Sequence, residues 1–277
     1  MDRHQPENSR HQENSVELQP YVLVRREGSV GVMTFNRTEQ MNTLEPAMLE
    51  AMERALHDLE TDDQVRVLLI TGGDSKVFIA GGNIADLNSR DALTHYRDFS
   101  VLVHRVFRRF EECTKPTVAA VNGWALGGGT EFLLTTDVRL MSEDAQLGLP
   151  EIKLGLFPGG GGSQRLIRQI SPCQAKLLMY TGDFISAQEA VQMGLVNRAV
   201  PSDTLQQDAM ALAQRIAEKS PWALRMLKSS MTQGAEMPLS AALHHEAVTI
   251  SLLLDTKDAH EGCSAFLEKR QPNFVGE

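Results

Sequence analysis

Residues 118–131 read VAAVNGWALGGGTE, an apolar run that ends in three glycines, a threonine and a glutamate. The apolar part, from Pro116 to Val121, predicts a buried parallel strand, because a strand covered on both faces carries apolar side chains throughout. The glycines predict a turn at which bare backbone amides can approach a ligand. We expect a helix to begin at this turn, with Glu131 three residues after Gly128 and therefore on the same helix face.

Glu131 has two interpretations at this position. It can complement the positive end of the helix dipole at a solvated surface, or it can act as an acid or base beside an anion that the free amides stabilise. The next residues, Phe132 to Leu134, are apolar and indicate a buried helix, where an unpaired glutamate is costly unless something uses it. Taken alone, this stretch leaves both interpretations open.

A second glutamate, Glu151, follows Pro150 and precedes another glycine run at residues 159–162. A single glutamate after a proline is an ordinary loop residue. Two glutamates in apolar settings, each beside a glycine turn, instead indicate a shared site for acid-base chemistry.

The rest of the chain alternates strands with helices and predicts a layered α/β core. Helical spacing begins at Pro46, and a long helix is expected over residues 92–111. The predicted strands cover residues 21–25, 30–35, 65–70, 116–121, 137–141 and 195–200.

Three regions follow from this pattern. Residues 1–19 are polar with almost nothing to bury, which predicts a disordered tail. Residues 20–200 form the α/β core. Residues 201–277 are helical throughout, with helices expected at 203–219, 221–232, 238–254 and 257–269, and they either cover the core or mediate assembly.

The composition narrows the class of protein. The 277 residues carry a net charge of −9, which disfavours a general nucleic-acid surface while allowing a local basic pocket. Three scattered cysteines indicate neither a disulfide framework nor a zinc site, so we expect a reducing cytoplasm. No apolar run reaches the roughly 18 to 20 residues that cross a bilayer, so no membrane association is expected.

Several common motifs are absent from the glycine runs and from the polar clusters. No lysine with serine or threonine closes a phosphate loop, and no run has the G-x-G-x-x-G spacing of dinucleotide sites. Ser163 is followed by Gln164 and Arg165, unlike a serine-hydrolase elbow. His244 and His245 lack the H-E-x-x-H spacing of a zinc helix, and no metal site is expected.

The stretch 118–131 closely resembles the signature of the crotonase family, and further motifs agree with that family in the same order. The resemblance extends over about residues 20–275, which makes it far more specific than any single motif. The further motifs lie at residues 36–44, 78–84, 149–155, 158–165 and 261–270.

The resemblance implies a crotonase core of repeated ββα units, with C-terminal helices that build a homotrimer, often paired into a hexamer. It implies an acyl-CoA substrate and no separate cofactor, since coenzyme A is part of that substrate. Glu131 and Glu151 match the two catalytic glutamates of the family's hydratases, and the amides of Gly82 and Gly128 match its oxyanion hole. Gly159 matches an amide that holds water. The residues that match contacts to CoA are Gln40, Met41, Ala80, Ile84, Phe266 and Lys269.

Retention of both glutamates favours an enoyl-CoA hydratase, which reversibly adds water to the 2,3 double bond of a trans-2-enoyl-CoA and gives a 3-hydroxyacyl-CoA. Gly82 and Asn83 stand where many hydratases have alanine and aspartate, which leaves the acyl chain length open. An isomerase, or a specialised dehydratase or lyase on the same fold, is the main alternative.

A non-catalytic or RNA-binding member of the family is a further alternative. It would be expected to carry a basic first helix, whereas the first helix here carries acidic residues such as Glu50 and Glu53. The cluster of Arg105, Arg108 and Arg109 on the next long helix is the feature in its favour, and a solvated helix face explains that cluster as well.

Overall fold

The computed structural model describes residues 20–277, so the tail expected over residues 1–19 lies outside the described part. Two sheets form the centre of this part. The larger has the strand order β1-β2-β3-β5-β7-β10 and the smaller has the order β4-β6-β8-β9. The strands are β1 (Val22–Glu27), β2 (Val30–Phe35), β3 (Val67–Thr71), β4 (Val77–Ile79), β5 (Thr117–Val121), β6 (Trp124–Leu126), β7 (Val138–Ser142), β8 (Gln146–Gly148), β9 (Phe184–Ser186) and β10 (Arg198–Val200).

Helices surround the two sheets, and one π-helical turn, at Tyr96–Ser100, joins two of them. Short 3₁₀ turns occupy Thr38–Gln40 and Pro150–Leu154. The α-helices are α1 (Pro46–Thr61), α2 (Ile84–Ser89), α3 (Ala92–His95), α4 (Val101–Glu111), α5 (Gly128–Leu133), α6 (Gly162–Gln169), α7 (Pro172–Thr181), α8 (Ala187–Gln192), α9 (Leu205–Ala217), α10 (Pro221–Gly234), α11 (Leu239–Leu253) and α12 (Lys257–Glu268).

A repeated unit generates the two sheets. In each unit one strand enters the larger sheet, the next strand enters the smaller sheet, and a helix follows, as in β3-β4-α2 and β5-β6-α5. Neighbouring units pair in parallel, so β3 lies beside β5 while β4 lies beside β6. The mixed α/β fold with parallel sheets agrees with the sequence prediction.

Buried aromatic side chains fix helix α5 in the core between the sheets. Phe132 packs edge-on against Phe110 of α4, with ring centroids 4.8 Å apart, and against Phe35 of β2 at 5.7 Å. Helix α9 covers the other face of the larger sheet through Leu205, Ala209 and Ala213. The large buried apolar area of these contacts makes α5 a rigid support for the residues at its start.

The C-terminal helices expose apolar side chains. Leu227 and Met231 of α10 are 57% and 66% exposed, and Leu243 and Ile250 of α11 are 54% and 56% exposed. An apolar surface of this size is unusual on an isolated soluble chain. Within residues 20–277, no helix is both long and apolar enough to cross a bilayer.

The helix expected over residues 92–111 is confirmed, since α3, the π-helical turn at Tyr96–Ser100 and α4 follow one another without a break. Other elements were not predicted from the pattern of residues. The smaller sheet was missed altogether, because its four strands have only three residues each and show no alternation of apolar and polar side chains.

Candidate active site

Three adjacent strands of the smaller sheet end at the same edge. Ile79 of β4 pairs with Ala125 of β6, and Leu126 of β6 pairs with Gly148 of β8, all in parallel. The segments that follow these strands therefore lie next to one another. They carry, in order, the glycines at 81–82, the glycines at 127–129, and the turn that begins at Pro150. Ligands bind at such carboxyl edges in many α/β folds.

A cavity of about 570 Å³ opens at this edge. It is large enough to hold an acyl group beside the carboxylates. Its wall includes the two glutamates singled out from the sequence together with Gly82, Gly128, Gly159, Ala80 and Ile84.

Gly82 and Gly128 in the cavity wall lie close to each other. A Cβ built on Gly128 would lie 3.8 Å from the amide nitrogen of Gly82, so the two glycine turns are in close approach. Among residues 20–277, neither the Gly82 nor the Gly128 amide has an acceptor in the chain itself. Two unused donors this close together can hold a single oxygen atom.

Glu131 lies one turn inside α5 and is only 4% exposed. Its Oε1 accepts hydrogen bonds from the amides of Gly160 and Gly162, both at 2.8 Å. Burial, and then the neighbouring charge of Glu151, raise the pKa of Glu131 to about 7, although the two amides act in the opposite direction. The solvated interpretation of Glu131 is therefore wrong: the carboxylate is buried and faces the cavity.

Glu151 enters the cavity from the 3₁₀ turn after β8. Its Oε2 is buried and, among the described residues, has no hydrogen-bond partner. Its Oε1 lies against Gly127, where a Cβ would come within 2.9 Å, and Gly127 has a φ of 52° that favours glycine. Burial raises the pKa of Glu151 as well. A buried carboxylate oxygen without a donor is costly unless a ligand or water fills that role.

The remaining residues matched to CoA contacts lie away from the cavity. Met41 is tied to its rim, since its carbonyl oxygen accepts from the Ala80 amide at 3.1 Å. The Oε1 of Gln40 accepts from Arg37 Nε at 3.0 Å. Phe266 is 83% exposed, and Lys269 ends α12 with a left-handed φ of 56°. Neither of the last two borders the cavity of its own chain.

Sequence reasoning missed two groups of residues here. The amides of Gly160 and Gly162 hold Glu131, whereas the sequence drew attention to Gly159; the glycine run itself was the available signal. Part of the cavity wall is formed by the segment from Leu87 to Val103, including Arg90, His95 and Phe99. Nothing in the sequence pattern identifies that segment as a wall, because the cavity forms only between segments that are distant in the chain.

The arginine cluster of α4 is engaged in ion pairs. Arg105 pairs with Glu53 at 2.9 Å and Arg109 with Glu60 at 3.3 Å, both across to α1. Arg108 pairs with Glu112 at 2.7 Å. These pairs neutralise the charge that a nucleic-acid surface would need.

Known proteins resemble this chain in sequence over nearly all of its described length. The family model described as enoyl-CoA hydratase/isomerase matches residues 25–277. A crotonyl-CoA hydratase from Syntrophomonas wolfei subsp. wolfei is 39% identical over 254 residues, which are 92% of this chain and 97% of that protein. A 2,3-dehydroadipyl-CoA hydratase from Escherichia coli K12 is 39% identical over 255 residues, which are 92% of this chain and 98% of that protein.

Solved structures resemble it in fold. The crystal structure of an enoyl-CoA hydratase from Bacillus anthracis superposes with a TM-score of 0.89 at 36% identity, covering 93% of this chain and 100% of that one. The agreement of sequence, fold and length makes these proteins relatives of the whole described chain.

Proposed function

The chain belongs to the enoyl-CoA hydratase/isomerase, or crotonase, family, and on that premise we propose that Glu131 and Glu151 together add water to the substrate. The protein is an enoyl-CoA hydratase. It reversibly adds water to the 2,3 double bond of a trans-2-enoyl-CoA and gives a 3-hydroxyacyl-CoA.

The observation that carries the two-carboxylate proposal is the unused buried oxygen of Glu151 beside Glu131. Oε2 of Glu151 has no donor among residues 20–277, and Oε2 of Glu131 accepts no hydrogen bond there either. A water molecule between the two carboxylates would donate one hydrogen to each. This arrangement holds the nucleophile with both of its protons directed at candidate bases.

The raised pKa values of both carboxyls suit this role. Burial and mutual repulsion disfavour the doubly ionised pair, so near neutral pH one carboxyl tends to keep a proton while the other is ionised. The ionised group takes a proton from water as the water oxygen bonds to C3. The other supplies the proton that C2 receives. Because the two groups titrate together, the acid and base roles belong to the pair.

The paired amides stabilise the charge that develops between these two steps. As the water oxygen bonds to C3, the electrons of the double bond move toward the thioester carbonyl, and its oxygen becomes negative. The amides of Gly82 and Gly128 would donate to that oxygen. An oxyanion site of this kind lowers the reaction barrier by about 3 to 4 kcal/mol per donor.

The remaining roles rest on the same premise. Coenzyme A enters as part of the substrate, and the carboxylates and amides perform the chemistry without a separate cofactor. Subunits assemble through the apolar C-terminal helices as a trimer or a pair of trimers, so that Phe266 and Lys269 of one subunit meet the CoA held by another. Three free cysteines suit a reducing compartment such as the cytoplasm.

Product analysis tests the activity. The purified protein is incubated with a panel of trans-2-enoyl-CoA thioesters of increasing chain length, and the products are separated by chromatography and mass. A hydratase gives the 3-hydroxyacyl-CoA, which is heavier by one water. Formation of a 3-enoyl-CoA of unchanged mass would identify an isomerase instead, and the chain length of fastest turnover would define the acyl preference.

A further inference from the structure

The turn over residues 160–162, which holds Glu131, is itself contacted by a side chain that lies outside the cavity. Gly160 and Gly162, whose amides donate to Glu131, flank Gly161, which has a φ of 112° and is the N-cap of helix α6. The position of the Glu131 carboxylate therefore depends on the position of this turn.

Arg165 of α6 packs directly against that turn. Its Nη1 donates to the carbonyl oxygen of Gly160 at 3.3 Å. A Cβ built on Gly161 would lie only 2.0 Å from this Nη1. The side chain is only 15% exposed. An arginine this deeply placed is held in one arrangement and leaves little room for the turn to move.

Glu111, the last residue of α4, orients Arg165. Its two carboxylate oxygens accept from Nε at 3.2 Å each, and Oε2 accepts from Nη2 at 2.9 Å. This two-point contact fixes the plane of the guanidinium, which a single contact would not do. The ion pair thus joins α4 to the start of α6.

The charge of Arg165 also reaches Glu131. Among the causes that set the pKa of Glu131, burial is the largest and raises it, whereas Arg165 is one of those that lower it. Other titratable side chains face this region: Glu151 from the 3₁₀ turn, Glu111 of α4 behind Arg165, and Arg90, Asp91 and His95 from the 87–103 segment at the cavity wall.

We propose that Arg165, oriented by Glu111, is a positioning residue for hydration: it holds the 160–162 turn against Glu131 and places a positive charge behind that carboxylate. The proposal rests on the two-carboxylate function above. The ion pair of Arg165 and Glu111, which lies outside the cavity, thereby influences the protonation of Glu131 inside it.

Arg165→Met tests the charge, because methionine keeps much of the apolar stem and removes the guanidinium. We expect the pH optimum of kcat/KM to move to higher pH by on the order of half a unit, with kcat lowered about tenfold and KM changed little. Arg108→Met is the matched control. Arg108 forms an ion pair on the exposed surface of α4, and its loss should leave the optimum where it is.

Two further variants separate the effect of the Arg165 charge from the mechanical support that its contacts give to the 160–162 turn. Arg165→Lys keeps the charge and loses the two-point contact, so the pH optimum should return toward the wild-type value while kcat recovers only in part. Glu111→Gln breaks the same ion pair but leaves the positive charge, so the optimum should stay or move to lower pH.

An unchanged pH optimum in a folded Arg165→Met protein would overturn the proposal. So would equal upward shifts in Arg165→Met and Glu111→Gln, since the pair would then act only as a brace. Circular dichroism confirms folding, and wild-type hydration in the same assay shows that the proposed function itself holds.

Discussion

The carboxylate of Glu131 shares one cavity with that of Glu151, and the charge of Glu151 helps to raise the pKa of Glu131 to about 7. Each carboxylate is harder to ionise because of its burial, and Glu131 also because of its neighbour. The pair thus carries an electrostatic cost in the folded chain, and that cost is measurable in stability as well as in activity.

Glu131→Gln should stabilise the protein in a pH-dependent way. Below about pH 4.5 the carboxyl is protonated both folded and unfolded, so its burial costs no ionisation energy. As the pH rises from about 4.5 to 7, the unfolded chain ionises first and the free energy of unfolding of the wild type falls. Glutamine removes this loss, so the variant should gain on the order of 3 kcal/mol over wild type between pH 5 and pH 8.

Urea unfolding at both pH values, at equal protein concentration, measures this gain. Glu143→Gln, at an exposed position, is the control. A difference between Glu131→Gln and wild type that is the same at pH 5 and pH 8 would contradict a raised pKa for Glu131.

Gly160→Ala should displace the carboxylate of Glu131. A Cβ at this position would lie 2.7 Å from Oε2 of Glu131 and 3.1 Å from Cγ1 of Val103, so the carboxylate would have to shift from its place. We expect kcat to fall about tenfold or more, because small displacements of an acid-base group are costly. Gly234→Ala, whose new methyl group would meet only Ala242 at 3.6 Å, is the control for steady-state kinetics. Full activity in Gly160→Ala would mean that this turn tolerates movement.

Lys269→Ala should weaken binding of the CoA portion alone. An acidic protein must hold the phosphates of CoA through a few local cations, and Lys269 is the candidate. KM for a full enoyl-CoA should rise several-fold at low salt, less at high salt, and not at all for a truncated pantetheine thioester. Lys219→Ala, at another exposed lysine, is the control. An unchanged KM for the full substrate at low salt would eliminate the contact.

The apolar faces of α10 and α11 should be covered by other subunits. Light scattering at micromolar concentration should give the mass of a trimer or a hexamer. Leu243→Glu, which places a charge on the exposed face of α11, should shift the mass toward the monomer. A monomeric wild-type protein would show that these helices do not assemble.

The sequence alone predicted those parts of the structure that depend on neighbouring residues in the chain. The strand over residues 117–121 and the glycine turn follow from local composition, because an all-apolar run favours a buried strand and a glycine run favours a turn. The same stretch left the burial of Glu131 open, and the structure decides it. The resemblance assigned roles to Glu151, Gly82 and Gly128, which the structure brings to one cavity.

What the sequence could not give depends on contacts between distant segments. Strand β4 has three residues and exists because β6 pairs with it, so no local pattern marks it. The contact of Arg165 with Glu111 joins residues 54 positions apart, and neither residue type in isolation indicates it. Phe266 and Lys269 would need a neighbouring subunit to complete their proposed role.

The central claim is that Glu131 and Glu151 together add one water to the substrate double bond. It is tested most directly by initial rates of 3-hydroxyacyl-CoA formation in isotopically labelled water for the wild type, Glu131→Gln and Glu151→Gln. We predict that the wild type incorporates one labelled oxygen per product, and that each folded variant is slower by at least about a hundredfold, the scale of a positioned acid-base group. Wild-type rates in either variant would remove that carboxylate from the mechanism and contradict the account.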